Sequence, residues 1–183
     1  MGFLESRILE RVTEAAKSIY TDHAYIHEGK MYSASIVPTS IAAGATRKLT
    51  FVTPPSTSNI YVHWRPSIVA CSADKLTINF YEASSGNSGG TALTAVNRNR
   101  LSAHTASSVV TDGVTVTTNG DFVDRTYIGG GSGVGGSVTG AETGETNEII
   151  LKQNTIHTIE LINNSSSANI VFIKLLWYEE SMA

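Results

Sequence analysis

After Tyr20 the chain becomes a succession of short runs rich in Val, Ile, Thr, Tyr and Phe, separated by Gly, Asn, Asp and Ser. Side chains of a strand point alternately to two faces, so each run can bury one face while the turn residues reverse the chain. Met31–Val37 alternates with Tyr32, Ala34 and Ile36 on one side. Arg47–Thr53 sets Leu49 and Phe51 against Thr50 and Val52, and Leu76–Tyr81 turns Leu76, Ile78 and Phe80 inward. Asn59–Trp64 and Thr91–Val96 are further runs. Asp112-Gly113 predicts a two-residue hairpin between Ser108–Thr111 and Val114–Thr117, because both residues tolerate positive φ. Asn119-Gly120 marks a turn before Phe122–Ile128.

Near the C-terminal end, Glu148–Lys152, Ile156–Asn163 and Asn169–Glu179 complete the set. In the last of these, Val171, Ile173, Leu175 and Trp177 alternate with Ile170, Phe172, Leu176 and Tyr178, and only Lys174 is polar. A run apolar on both faces belongs in a central strand or under cover on both sides. Roughly nine or ten short antiparallel strands make an all-β chain, an antiparallel β-sandwich of the jelly-roll kind, with an immunoglobulin-like sandwich as the alternative.

The first residues have a different period. From Phe3 to Tyr20, Leu4, Ile8, Val12, Ala15, Ala16 and Ile19 recur at spacings of three and four, with Glu5, Arg7, Glu10, Arg11, Glu14 and Lys17 off that stripe. This is one apolar face of an amphipathic helix. The expected organisation is an N-terminal helical arm over residues 1–22 and a β-sandwich domain over residues 23–183. An isolated helix of this length is marginal in water, so its stripe needs a partner surface. Three surfaces qualify: the helix's own sandwich, copies of the helix, or another protein. Leu4, Ile8, Val12 and Ile19 are the candidate contacts for an oligomer or a capsid.

Composition narrows the function. The 183 residues carry 13 basic and 16 acidic side chains, a formal net charge of −3, which gives no electrostatic reason to bind nucleic acid or an anionic membrane. No apolar stretch is long enough to span a bilayer, and Glu5, Arg7, Glu10 and Arg11 interrupt any secretory apolar core. Met1-Gly2 with Ser6 fits the myristoylation pattern on three positions only. The single Cys71 rules out an internal disulfide framework and multi-cysteine zinc sites. The chain reads as soluble and made in the cytoplasm.

Two glycine-rich segments imitate catalytic or binding motifs. Gly86-Asn87-Ser88-Gly89-Gly90 matches the nucleophile segment of trypsin-like proteases and also satisfies G-x-S-x-G. A nucleophilic Ser needs a general base within reach and a carboxylate behind it. His63 lies too near in sequence to face Ser88 across a two-barrel cleft, and no helix pattern follows Ser88 as in an α/β-hydrolase. A glycine-rich hairpin loop is the expected reading, without catalytic residues. Gly131-Ser132-Gly133-Val134-Gly135-Gly136 fits G-x-G-x-x-G, but Ser137–Gly144 does not open a helix and no nucleotide cofactor is expected. Gly129–Gly144 reads as a long contact loop.

His23 and His27, four apart in the connector after the helix, leave a zinc site two ligands short, so no metal site is expected. His157, between Ile156 and Thr158, reads as a structural strand histidine. Tyr61, Trp64, Trp177 and Tyr178 could form a sugar-stacking platform, although aromatics at strand alternation more often fill a core.

Ile26-His27-Glu28-Gly29-Lys30-Met31-Tyr32 is similar to the opening of small β-rich virion proteins of tailed bacteriophages. So are Phe80-Tyr81-Glu82, Gly89-Gly90-Thr91-Ala92-Leu93 and Asn97-Arg98-Asn99-Arg100. The ending, with Glu148-Ile149-Ile150-Leu151-Lys152, Asn163-Asn164-Ser165 and Trp177-Tyr178-Glu179, resembles them too. The resemblance is diffuse and spans about Ile26 to Glu179. It implies a decoration, or cement, subunit of the capsid exterior. Such a subunit is a jelly roll, commonly trimeric, bound to the major capsid protein and without enzymatic activity. The N-terminal helix departs from the simplest such proteins and leaves room for a vertex or tail appendage that binds a glycan or host surface.

Overall fold

The computed structural model of the chain describes residues 23–71, 75–128 and 148–181. Among them are twelve strands: β1 (Met31–Ser35), β2 (Thr39–Ile41), β3 (Thr46–Val52), β4 (Ile60–Cys71), β5 (Leu76–Glu82) and β6 (Thr91–Leu93). The others are β7 (Val96–Asn97), β8 (Val109–Asp112), β9 (Asp121–Ile128), β10 (Ile149–Leu151), β11 (Ile156–Asn163) and β12 (Asn169–Ser181). They form two antiparallel sheets. The first has the order β10-β4-β12-β1-β7, with β2 also paired to β12, and the second has β6-β8-β3-β11-β5-β9.

Four of the strand pairings are nested. β1 pairs with β12, β3 with β11, β4 with β10 and β5 with β9, as though one long hairpin were folded on itself. β12 lies centrally between β4 and β1, the position its apolar sequence predicts. Its Val171, Ile173, Leu175 and Trp177 are sealed from solvent, whereas Ile170 on the other side stays half exposed.

The core lies between the sheets. Leu49 and Phe51 of β3, Leu76 and Phe80 of β5, Ile159 and Leu161 of β11 meet Tyr32 and Ala34 of β1, Val62 and Trp64 of β4 and the inner side of β12. A file of rings runs through it. Tyr32 packs on Trp177, Trp177 on Phe51, Phe51 on Trp64 and Trp64 on Phe80, at centroid distances of 5.1 to 5.9 Å. The edge-to-face pairs are those of Phe51 with both tryptophans, the orientation the ring quadrupoles favour. His157 closes the file, stacked 5.6 Å from Phe80.

Several boundaries differ from the sequence reading. β4 runs well past Trp64, through Pro66. Its ladder to β12 is irregular there, passing from Lys174↔Ile68 to Leu176↔Arg65, and β10 covers only Val62 to Trp64. A proline with no N–H to give is tolerated at such a gap. The hairpin expected after Asp112-Gly113 does not form. β8 is bonded on both sides, to β3 and β6, so it has no edge left for the returning chain. That chain pairs with the 83–90 loop instead, through the Ser85↔Thr118 and Ser88↔Thr115 bridges. Finally, residues 23–27, expected as a connector, are helical.

Candidate assembly surface on the outer face of the first sheet

Alternation on β4 and β12 sends Trp64 and Trp177 inward and His63, Arg65, Tyr178 and Glu180 outward. Tyr178 stands directly opposite His63 in the ladder. Packed against each other on the outer face, their rings stack at 4.3 Å with an 11° tilt. The helical turn at 23–27 sets Tyr25 on the other side of Tyr178, with centroids 4.0 Å apart. Tyr25 Oη reaches Glu180 Oε2 at 3.4 Å. The result is a three-ring stack of Tyr25, Tyr178 and His63.

Glu148, just before β10, anchors the stack from the β4 side. Its Oε1 accepts from the Tyr178 hydroxyl at 2.7 Å and lies 2.7 Å from His63 Nδ1, and its Oε2 accepts from Arg65 at 3.1 Å. An ionised carboxylate only accepts, so His63 carries a proton on Nδ1. Burial pushes the Glu148 carboxyl up, but the bonds from Tyr178, His63 and Arg65 outweigh it and hold the group below the usual range. Burial and the same carboxylate push the Tyr178 phenol far above its ordinary value. His63 Nε2 faces Glu180 at 3.7 Å.

This cluster joins two segments far apart in sequence. Tyr25 follows residues 1–22, and Glu148 follows residues 129–147. Leu4, Ile8, Val12 and Ile19 lie outside the described residues, as do Gly129–Gly144 and its G-x-G-x-x-G match. Of the described residues that follow those segments, Tyr25 packs on Tyr178, and Glu148 bonds to Tyr178 and His63. Nothing in the sequence pairs Tyr25 with Glu148, since the link runs through a strand register.

The remaining sequence candidates fall elsewhere. Ser88 is exposed in the loop between β5 and β6, its backbone bonded in both directions to Thr115 at 3.0 Å, while His63 belongs to the other sheet. His23 and His27 sit edge to face, 4.6 Å apart, on the helical turn. Among the described residues no group of three His, Cys, Asp or Glu is arranged to hold a metal, and no helix is long and apolar enough to cross a membrane. Of the two readings of Tyr61, Trp64, Trp177 and Tyr178, the core placement holds for both tryptophans and no sugar platform is formed by them. Trp177 is 0% and Trp64 8% exposed, because β12 and β4 turn both into the core.

Glu179, by contrast, carries a role the sequence did not signal. At 7% exposure it accepts from the Ser107 and Ser108 backbone N–H groups at 2.8 and 2.9 Å and from the Trp177 indole at 3.2 Å. It pins the 99–108 loop beside an open cleft of about 440 Å³ lined by Lys30, Tyr32, His104 and Ser181. Comparison with models of known families, with curated proteins and with solved structures finds no match to this chain.

Proposed function

We propose that this chain is a non-enzymatic structural protein of a tailed-phage virion, an oligomer that decorates the capsid exterior and stabilises it against the major capsid protein. The observation that carries the proposal is the convergence of Tyr25 and Glu148 on Tyr178. It brings together, on the outer face of the first sheet, a residue that follows the expected apolar-striped arm and a residue that follows the glycine-rich segment, so that one interface can use both. The nested pairing of β1 with β12, β3 with β11, β4 with β10 and β5 with β9 supports a jelly roll, the fold that the resemblance implies.

In this reading Leu4, Ile8, Val12 and Ile19 bury their stripe against copies of themselves, giving a homotrimer whose β-domains project outward. A subunit that binds only the assembled shell stabilises that shell by mass action. The separation of Ser88 from His63 supports the absence of turnover. The test is stoichiometry and imaging of purified particles. Hundreds of copies over the head meet the expectation. A few copies at a vertex or tail would replace decoration with an appendage role, and finding none would overturn the virion assignment.

A further inference from the structure

On the outer face of the second sheet, β9 presents Tyr127, Arg125 and Phe122 in a row. Each lies opposite an outward residue of β5: Thr77, Asn79 and Tyr81 respectively. Phe122 is 55% and Tyr127 59% exposed, the largest exposed rings of the described body. Strand rise sets them roughly 15 Å apart, the span of a short oligosaccharide rather than of one sugar.

The polar groups between the rings are held in place. Glu160 of β11 accepts from Asn79 at 2.9 Å, Tyr81 at 3.1 Å and Asn119 at 3.3 Å, and Lys48 donates to Asn119 Oδ1 at 2.7 Å. Tyr81 meets Phe122 edge to face at 5.9 Å. Arg125 gives its Nε to Asn79 Oδ1 at 2.7 Å and sets its guanidinium 5.4 Å from the Phe122 ring. Its two terminal nitrogens have no partner among the described residues.

We infer that this face binds an acidic glycan, with sugar rings stacked on Phe122 and Tyr127 and a sugar carboxylate taken by the Arg125 fork. Rigid aromatic faces beside pinned polar groups suit a ligand that is flat and apolar on one side and hydroxylated at its rim. The fork is the group that recognises a carboxylate in a planar, paired way. The network already satisfies Glu160, so the free cationic donor sets the sign of the ligand. Addition of a protein strand to the β9 edge fits less well. The ladder to β5 passes from Phe80↔Asp124 to Tyr81↔Phe122, and the bulge at Val123 bends the edge. The inference does not depend on the virion assignment.

The experiment is native electrophoresis of the full chain in gels holding polygalacturonate, alginate, hyaluronan or polysialic acid, with dextran and pullulan as neutral references. The chain itself carries a net charge of −3, so bulk attraction to a polyanion does not produce retention. Retardation in at least one acidic gel is expected. Phe122→Ala with Tyr127→Ala, and separately Arg125→Gln, should weaken it about tenfold or more, with an unchanged urea midpoint. No retardation in any acidic gel, retardation only in neutral gels, or retardation that survives the double variant would overturn the inference.

Discussion

Tyr25 lies almost flat against Tyr178, with ring centroids 4.0 Å apart and planes 15° from parallel. The same Tyr178 donates its hydroxyl to Glu148 at 2.7 Å. One side chain on the central strand therefore contacts both Tyr25, just after residues 1–22, and Glu148, just after residues 129–147. Its two contacts are chemically separable, one made by the ring face and one by the hydroxyl.

Tyr178→Phe keeps the stacking and removes the bond to Glu148. The carboxylate retains His63 and Arg65, so the loss should lie near the lower end of the roughly 1.5–3 kcal/mol of a bond to a charged group. Tyr178→Ala removes the stack as well and should cost a further 1 kcal/mol or more, roughly. Urea midpoints of the two variants measure the difference. Equal midpoints would mean that the stacked ring contributes nothing.

His157 supplies a pH dependence. It is 1% exposed, its ring nitrogens lack a hydrogen bond, and Glu82 is 3.8 Å away. Burial holds its pKa below the usual 6.5. The unfolded chain therefore binds a proton at a higher pH than the folded one. Stability is full above about 6.5 and falls as pH drops from there toward the folded value. Glu148 and Glu160 act in a lower window, since their pKa values are depressed from 4.5 and their stabilisation is lost as pH falls below it. His157→Leu should flatten the thermal-stability slope below pH 6.5 and leave the more acidic slope unchanged. A slope that persisted in the variant would assign it to another group.

Two glycines in adjoining turns separate backbone strain from collision. Gly120 has φ near 89°, and a Cβ there would run into the Glu82 carbonyl and the Ala83 backbone. Gly89 has φ near 68° with open space around it. Gly120→Ala should cost about 2–4 kcal/mol and Gly89→Ala about 1 kcal/mol. Thermal unfolding of the two variants side by side measures the contrast.

The sequence pattern reached further into the fold than into the candidate site. Alternation placed Tyr32, Ala34, Ile36, Leu49, Phe51 and Leu76 on inner faces, and all are buried. The centrality of β12 followed from its two apolar faces. Where the reading failed, long-range pairing decided the outcome. Val114–Thr117 has a strand-like composition, but β8 had already spent both edges. The same limit hid the Tyr25–Tyr178–Glu148 junction, whose three residues come from distant parts of the chain. Glu179 was hidden for a similar reason, because its partners are backbone N–H groups of a loop 71 and 72 residues away.

Assembly through the arm is the central feature of the proposed function, and the most direct measurement of it is the native mass of the full chain beside that of Ile8→Asp with Val12→Asp. The expected result is a trimer for the parent and a monomer for the variant, with the thermal unfolding of the β-domain unchanged. A monomeric parent, or a variant that remains trimeric, would contradict it.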